Sequence, residues 1–372
     1  MSRLRARAEK KREEAQKVEQ EEFWLELCRR INGGQLIPII SNAFYNDQIF
    51  DMDSDQIIGI SNNEENLQGW NIEEQLADAW AAEIGYPLPE THWLPRVALY
   101  DRVVNCHDDL GAKQRYLNWL KDSLLYLAQD DKDIDQDTID DLRDDLEKLS
   151  FADIAVELGY PKPIKGQDDP LKILAKLKLP IYVTTSCFDF LERAIIADNR
   201  TPRTQICFWS GEPAKFIDES HKIDQKFEPT PEQPLVYHIN GLEAYPQSMV
   251  LSEADYLDFL TKISQDASQE RPLLPWYLRK ALTQSSLLLL GYRLRDWDFQ
   301  TLFRGIINST PPSLRQFSLA IQLDPKVRKE IISADQMREY LEKYFSFSNF
   351  TVVWGTSQEF IETLWEAWKR WR

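Results

Sequence analysis

Clustered cysteines are missing from this sequence. Its four cysteines, Cys28, Cys106, Cys187 and Cys207, are far apart and form no CxxC pair. A structural zinc site needs clustered thiolates or imidazoles, so we expect the protein to hold no metal. The spacing also differs from that of a secreted disulfide framework, which favours a reducing, cytoplasmic environment.

A long apolar segment is missing as well. The longest apolar run surrounds residues 287–290 and is far too short to span a bilayer. No apolar run follows the charged N-terminus, so we expect neither a signal peptide nor membrane contact. The net charge of −17 lacks the basic footprint that phosphate binding requires, so we do not expect a nucleic-acid partner.

The usual nucleotide fingerprints are absent too. The sequence contains neither GxGxxG nor GxxxxGK[ST], so it supports neither the ordinary dinucleotide-binding fingerprint nor a nucleoside triphosphate loop. What is present is globular composition, with 372 residues of which 43% are hydrophobic and 28% charged. The length predicts a large core and at least two structural units.

The first unit is a charged helix at residues 1–32. Basic and acidic residues alternate there, and an apolar stripe develops only in the second half, at Phe23, Trp24, Leu27 and Ile31. Two interpretations remain open. The segment is either a solvated extension that docks through its end, or an arm that binds a protein partner or a second copy of the chain.

Strand and helix signals alternate through residues 33–372. Short apolar runs predict seven strands, and helical periodicity fills a segment at about 65–160 after the first strand. We therefore predict an α/β fold, a parallel sheet with flanking helices and an inserted helical subdomain. The seven predicted strands cover residues 35–40, 179–185, 204–209, 234–239, 285–290, 317–323 and 350–354.

The loops after four of these strands carry turn-forming and polar residues. In an open parallel sheet, ligands bind in the crevice outside the carboxyl ends of the strands. Such loops also allow a ligand to approach the backbone closely. The predicted ligand-binding residues are Ser41, Asn42, Ala43, Thr185, Ser186, Asp189, Asn240, Gly241, Gly291, Tyr292 and Asp296.

Taken in order, the four loops resemble the motifs of sirtuin-like domains, in particular the prokaryotic branch found in antiphage and other conflict systems. The matching segments are IISNA at 39–43, YVTTSCFDFLE at 182–192, YHING at 237–241 with SMVLSEADYLDFL at 248–260, and LLLGYRLRDWDF at 288–299. The final strand, VVWG at 352–355, is similar to the family's closing strand. The resemblance implies a Rossmann-like sheet that binds NAD or an ADP-ribose-like ligand and, in this branch, cleaves the nicotinamide bond.

Several family positions carry other residues here. The family's Gly-Ala-Gly loop corresponds to Ser41-Asn42-Ala43, its catalytic Asn to Ser186 and its catalytic His to Asn240. Neither Ser nor Asn titrates near pH 7, so neither can act as the base. The zinc-ribbon CxxC pairs of the family's protein deacylases are also missing, so we do not expect deacylation.

Three other residues have two interpretations each. His238 lies two residues before Asn240 on the same strand face, and is either a buried core histidine or a displaced base. Asp189 either caps the helix that follows it or contacts a ligand. Asp296 either caps its helix or accepts a hydrogen bond from a ribose hydroxyl.

Three functions therefore remain open. The first is a sirtuin-like pseudoenzyme that binds an NAD-type ligand or serves as a scaffold in a prokaryotic defence or conflict system. The second is an active NAD⁺ glycohydrolase of antiphage defence. The third is an interaction or assembly protein that needs no nucleotide.

Overall fold

A computed structural model gives the fold. It describes residues 18, 20–42, 44, 72–129, 131, 133–160, 168–211, 217–224, 226–266, 273–294, 296–307, 316–322 and 333–372. The predicted site residue Ala43 and most of the charged N-terminal segment, residues 1–17, lie outside this range. None of the described helices is long and apolar enough to cross a membrane.

Seven parallel strands form one sheet. They are β1 (Leu36–Ile40), β2 (Ile181–Thr184), β3 (Arg203–Ile206), β4 (Leu235–His238), β5 (Ser286–Leu290), β6 (Ser318–Gln322) and β7 (Phe350–Trp354). Their order across the sheet is β3-β4-β2-β1-β5-β6-β7. The predicted α/β class and parallel sheet are confirmed, and each strand lies within three residues of its predicted bounds.

Helices pack on both faces of the sheet. They are α1 (residues 20–32), α2 (Ile72–Glu83), α3 (Leu94–Asp101), α4 (Asp109–Ala128), α5 (Gln136–Asp144), α6 (Phe151–Glu157), α7 (Pro170–Lys176), α8 (Phe190–Ala197), α9 (Glu253–Gln265), α10 (Trp276–Gln284), α11 (Trp297–Thr301), α12 (Ala334–Ser346) and α13 (Ser357–Trp371). Two π-helical turns, Arg102–Cys106 and Leu302–Ile306, follow α3 and α11.

Alternate residues of the strands separate the core into two clusters. In β5, Leu288 and Leu290 face one cluster, and Leu287 and Leu289 face the other. This follows from the two-residue period of a strand, and it explains why β5 reads as a continuous apolar run. The helical segment between β1 and β2 contributes to the first cluster, through Trp80 and others.

The end of α1 docks on this core. Leu27 and Ile31 are buried, and the Trp24 ring lies 5.5 Å from the Phe360 ring of α13. The helix ends at Gly33 and Gly34, as predicted, and Gly34 adopts a φ of 64°. Glycine suits this left-handed position because it has no Cβ.

The chain reverses direction across the sheet beside β1. It runs from β1 to β2 and then to β3 and β4 on one side, before crossing to β5 on the other side. β1 therefore pairs with β2 and β5, and the switch in strand order lies between β1 and β5. A switch point of this kind opens a crevice at the carboxyl ends of the strands.

Candidate functional site at the carboxyl ends of the strands

The strand-end loops bring most of the predicted site residues to one edge of the sheet. Ser41 follows β1, Thr185 and Ser186 follow β2, Asn240 follows β4 and Gly291 follows β5. The first four are nearly inaccessible, with 1%, 3%, 0% and 5% of their surface exposed, respectively. The side chains at this edge therefore pack against one another.

Ser41 and Gly291 are in close contact beneath the switch point. Gly291 adopts a φ of 78°, and a Cβ built on it would lie 2.4 Å from Ser41 Oγ. The same hydroxyl accepts a hydrogen bond of 3.2 Å from the Phe44 amide. Glycine at 291 is thus required by both its backbone conformation and the serine side chain beside it.

The β2 loop is held by local hydrogen bonds. Thr184 Oγ1 accepts from the Ser186 amide at 3.0 Å, and Ser186 Oγ accepts from the Phe188 amide at 3.2 Å. Hydroxyl-to-backbone bonds of this kind are typical of serine and threonine in turns. They direct the Ser186 side chain to the backbone of its own loop.

His238 lies at the end of β4 and is completely buried. Its Nδ1 lies 2.8 Å from the Ser186 carbonyl oxygen, and its Nε2 lies 2.8 Å from Glu192 Oε1 of α8. A carbonyl and a carboxylate only accept hydrogen bonds, so both ring nitrogens donate and the ring is an imidazolium. Both nitrogens of His238 are therefore occupied within the fold.

Electrostatics agree with this protonation state. Burial alone would lower the pKa of His238, but Glu192 and the Ser186 carbonyl raise it above its ordinary value. Burial alone would raise the pKa of Glu192, but His238 and the Thr204 hydroxyl lower it. The two groups form a buried ion pair in which each partner stabilises the charge of the other.

Two aspartates differ from their predicted capping role. Asp189 and Asp296 occupy the N-cap positions of α8 and α11, but neither side chain makes a capping bond among the described residues. Asp189 pairs instead with Arg193, at 2.9 Å from its Nε, and Asp296 pairs with Arg293 at the same distance. An arginine three or four residues away offers two charge-assisted donors, which a carboxylate prefers to one backbone amide.

Sequence reasoning missed Glu243, three residues after Asn240. Its amide donates to the Cys187 carbonyl at 2.8 Å, and its Oε2 accepts from the Phe151 amide of α6 at 2.9 Å. Oε1 is buried and has no hydrogen-bond partner among the described residues. Burial raises the pKa of Glu243 to about 7, partly offset by the Phe151 amide and Lys121. Glu243 therefore joins the inserted helices to the β2 and β4 loops.

Sequence reasoning also missed Asp298, a partly exposed residue of α11. Thr185 Oγ1 donates to Asp298 Oδ2 at 3.0 Å, and the Tyr292 hydroxyl lies 3.1 Å from the same threonine oxygen. Thr185 follows β2 and Tyr292 follows β5, so these side chains meet across the end of β1. A single aspartate in a motif rich in charged residues gave no signal that separated it from Asp296.

The described residues contain no group of three or more His, Cys, Asp or Glu side chains that could hold a metal ion. The site has instead hydroxyls, amides and carboxyls, which bind organic ligands through hydrogen bonds.

The family comparison covers strands β2 to β6. Residues 180–347 match the model of the SIR2-like domain family. The match begins at the residue before β2 and ends at the residue after α12, so it includes Ser186, Asn240, Gly291 and Asp298 but not Ser41. No curated protein matches the chain. The parallel sheet and the strand-end loops agree with this match, which shows that residues 180–347 are similar to SIR2-like domains.

Proposed function

We propose that this protein is a sirtuin-like pseudoenzyme that binds NAD, ADP-ribose or a related ligand at the strand ends without cleaving it. We further propose that it acts as a sensor or scaffold of a prokaryotic defence system. The observation that carries the first proposal is the state of His238, which is fully buried with both nitrogens engaged.

A general base must have a free lone pair within reach of the proton that it removes. The imidazolium of His238 has none, and its two protons are directed to Ser186 and Glu192. Asn240, at the position that resembles the family's catalytic histidine, does not titrate near neutral pH. The usual histidine mechanism therefore lacks its proton acceptor.

Support for ligand binding comes from the fold and the family. SIR2-like domains bind NAD-related ligands, and residues 180–347 are similar to such domains. The switch point beside β1 carries hydroxyl, amide and carboxyl groups that can orient a polar ligand. We infer that the ligand binds above the layer of buried residues that contains Ser41 and Ser186.

The defence role rests on the motif resemblance to the prokaryotic conflict branch, since fold alone does not fix function. The partner that we propose is a protein or a second copy of the chain, bound through the charged N-terminal segment at residues 1–32. Phage challenge of bacteria that produce the chain, with and without residues 1–17, tests both points. Equal plaque counts for the chain and for cells without it would contradict the defence role.

The central test is an NAD-consumption assay with mass spectrometry for nicotinamide, together with calorimetric titration of ADP-ribose. We expect binding without nicotinamide release. The matched variant is Ser186→Asn with Asn240→His, which restores both family residues, and we expect it to release nicotinamide. Release by the unchanged protein would overturn the pseudoenzyme proposal, and absence of ADP-ribose binding at millimolar concentration would favour the nucleotide-independent assembly protein.

A second candidate, an active NAD⁺ glycohydrolase, is favoured by Glu243. Its pKa of about 7 suits a general base, and one of its buried oxygens has no partner in the part of the chain that the structure describes. If this candidate is correct, the unchanged protein releases nicotinamide and Glu243→Gln abolishes the release. His238→Ala tests the displaced histidine base in the same assay.

A further inference from the structure

Asp298 combines three features that the packed residues around it lack. It is partly exposed, it lies at the switch point of the sheet, and it carries a carboxyl group. One oxygen accepts from Thr185 at 3.0 Å, and the other accepts from the Phe299 amide at 2.7 Å. A carboxylate has about four acceptor sites, so each oxygen keeps the capacity for another hydrogen bond.

Within the part of the chain that the structure describes, the charge of Asp298 is left largely unbalanced. Arg293, a cation that lowers the pKa of Asp298, donates two bonds of 2.9 Å to Asp296 and one of 3.1 Å to Glu74 of α2. Burial and the negative charge of Asp296 raise the pKa of Asp298 to about 7, against the smaller opposing effects of Thr185, the Phe299 amide and Arg293. The fold therefore holds a carboxyl group whose ionisation is unfavourable.

We propose that Asp298 contacts the ligand directly, with its carboxylate accepting a hydrogen bond from a ribose hydroxyl. This inference rests on the proposed function, and it names the chemical class of ligand. The site takes a ligand with a free hydroxyl at this position, such as NAD or ADP-ribose, and disfavours a ligand phosphorylated there.

The reason is the chemistry of the acceptor. A carboxylate accepts well from a hydroxyl, whereas a phosphate in the same place would bring two negative charges together in a partly buried site. Acidic residues at the switch point of dinucleotide-binding sheets bind ribose hydroxyls in this way. Thr185 and Tyr292 hold the carboxyl of Asp298 above the end of β1, where a ligand can reach it.

A second reason does not depend on the ligand. Because folding raises the pKa of Asp298 from 3.8 to about 7, its proton stabilises the folded state, and this stabilisation is lost as the pH rises towards 7. At pH 8 the carboxylate therefore destabilises the fold. A charged group that lowers the stability of the fold, where a neutral group of the same shape would not, is typical of a ligand-binding site.

The experiment is calorimetric titration of the full chain with ADP-ribose and with 2′-phospho-ADP-ribose at pH 6 and pH 8. Among the described residues, Asp296 and Arg293 are charged groups that act on the pKa of Asp298. Glu74 accepts a hydrogen bond from Arg293, and the Tyr292 hydroxyl lies 3.1 Å from Thr185 Oγ1. We expect ADP-ribose to bind the unchanged protein about tenfold more tightly than Asp298→Asn at pH 8, the size of effect expected for a hydrogen bond to a charged group. We expect the affinity of Asp298→Asn for ADP-ribose to be the same at pH 6 and pH 8. We also expect this variant to bind the two ligands with equal affinity.

Asp258→Asn is the matched control, since Asp258 is an exposed residue of α9 away from the strand ends. We expect the control to bind as the unchanged protein does. Thermal unfolding at pH 8 checks folding, and we expect Asp298→Asn to melt at a higher temperature than the unchanged protein.

Two results would overturn the inference separately from the proposed function. Binding by the unchanged protein with equal affinity in Asp298→Asn would show that Asp298 does not contact the ligand. Equal affinity of the unchanged protein for both ligands would exclude the hydroxyl preference. A lack of ADP-ribose binding in the unchanged protein would overturn both the proposed function and this inference.

Discussion

The two halves of the strand-end edge differ in how much of their polar surface the fold itself uses. On the β2–β4 half, the two ring nitrogens of His238 hydrogen-bond to Ser186 and Glu192, and all three residues are buried. On the β2–β5 half, a series of hydrogen bonds runs from Tyr292 through Thr185 to Asp298, whose carboxyl group is partly exposed. The first half is built as an interior, and the second keeps a polar group at the surface.

This difference bears on the proposed pseudoenzyme. Ser186 and Asn240 stand at the positions that resemble those of the family's catalytic residues, and both belong to the packed half. Binding groups remain on the other half. Packing one half of the crevice leaves the carboxyl group of the other half in place, because Asn240 and Asp298 belong to different segments of the chain.

The largest expected effect comes from opening the packed half. His238→Ala removes one partner of a buried ion pair, and we expect a loss of about 3–5 kcal/mol in unfolding free energy. The stabilisation from His238 is present below its unfolded pKa near 6.5 and is lost as the pH rises through its raised folded pKa. The stabilisation from Glu192 is present above its unfolded pKa near 4.5 and is lost as the pH falls through its lowered folded pKa.

Denaturant unfolding from pH 4 to pH 9 measures this effect. The difference between the unchanged protein and His238→Ala is expected to be greatest between pH 4.5 and 6.5. His221→Ala is the control, because burial lowers the pKa of His221 and its pH dependence has the opposite sign. A flat difference across the range would contradict the ion pair.

The next effect concerns the turn after β4. Gly241 has a φ of 85°, and a Cβ there would lie 2.3 Å from the backbone of Ser248. We expect Gly241→Ala to cost about 3 kcal/mol in unfolding free energy, since backbone strain of 1–3 kcal/mol adds to a contact that neither chain segment can relieve. Gly85→Ala is the matched control, with a φ of 67° and open space around it.

Chemical denaturation of both glycine variants decides the point. The Gly85 variant is expected to lose about 1 kcal/mol, from the conformational strain alone. Equal losses in the two variants would mean that the strand-end turn tolerates expansion and that the packed half is not tight.

A smaller effect tests the link between the packed half and the inserted helices. Because burial raises the pKa of Glu243 to about 7, the protein should lose stability as the pH rises from about 4.5 to 7. Glu243→Gln has no charge to bury at this position, so its stability should fall less than that of the unchanged protein over this range. At pH 8 we expect the variant to exceed the unchanged protein by roughly 1–2 kcal/mol, less than the full shift implies because the amide is a weaker acceptor for the Phe151 N–H.

Thermal melts at pH 5 and pH 8 compare the two proteins. Glu243→Ala serves as the control for the hydrogen bond, since it removes both the charge and the acceptor. If Glu243→Gln melts below the unchanged protein at both pH values, the carboxyl is an ordinary stabilising cap and not a strained group.

The smallest effect concerns the half with the exposed carboxyl. Arg293 joins Asp296 to Glu74 of α2, and Glu74 is only 8% exposed. We expect Glu74→Gln to cost about 1 kcal/mol and to speed amide hydrogen exchange in α2. Exchange in α6, which Glu243 contacts, should not change. A change in both helices would show that the two halves are mechanically coupled.

Much of the fold could be predicted from the sequence. Apolar runs such as residues 285–290 identify buried strands, because a strand covered on both faces needs no polar alternation. The order of the strands could not be predicted, since it depends on pairings such as Ile39 with Val183 and with Leu289, which leave no local pattern. The position of His238 two residues before Asn240 left a buried core histidine and a displaced base both open, and it could not identify Glu192 as its partner.

The site was predictable in place but not in detail. The loops after β1, β2, β4 and β5 do meet at one edge, as parallel strands require. Asp189 and Asp296 have the sequence position of helix caps, but a nearby arginine competes for each carboxylate. Glu243 and Asp298 were missed because their raised pKa values come from burial by distant segments, which a single sequence does not reveal.

The pairing of β1 also has a consequence for how the chain folds. Its neighbours β2 and β5 lie about 140 and 250 residues further along the chain, so β1 cannot complete its pairing until both have been synthesised. Contacts this distant in sequence slow folding, because a long loop must close before they form. During synthesis the apolar β1 leaves the ribosome well before β2 and β5, and in that interval α1 and then the inserted helices are available to cover its apolar side chains.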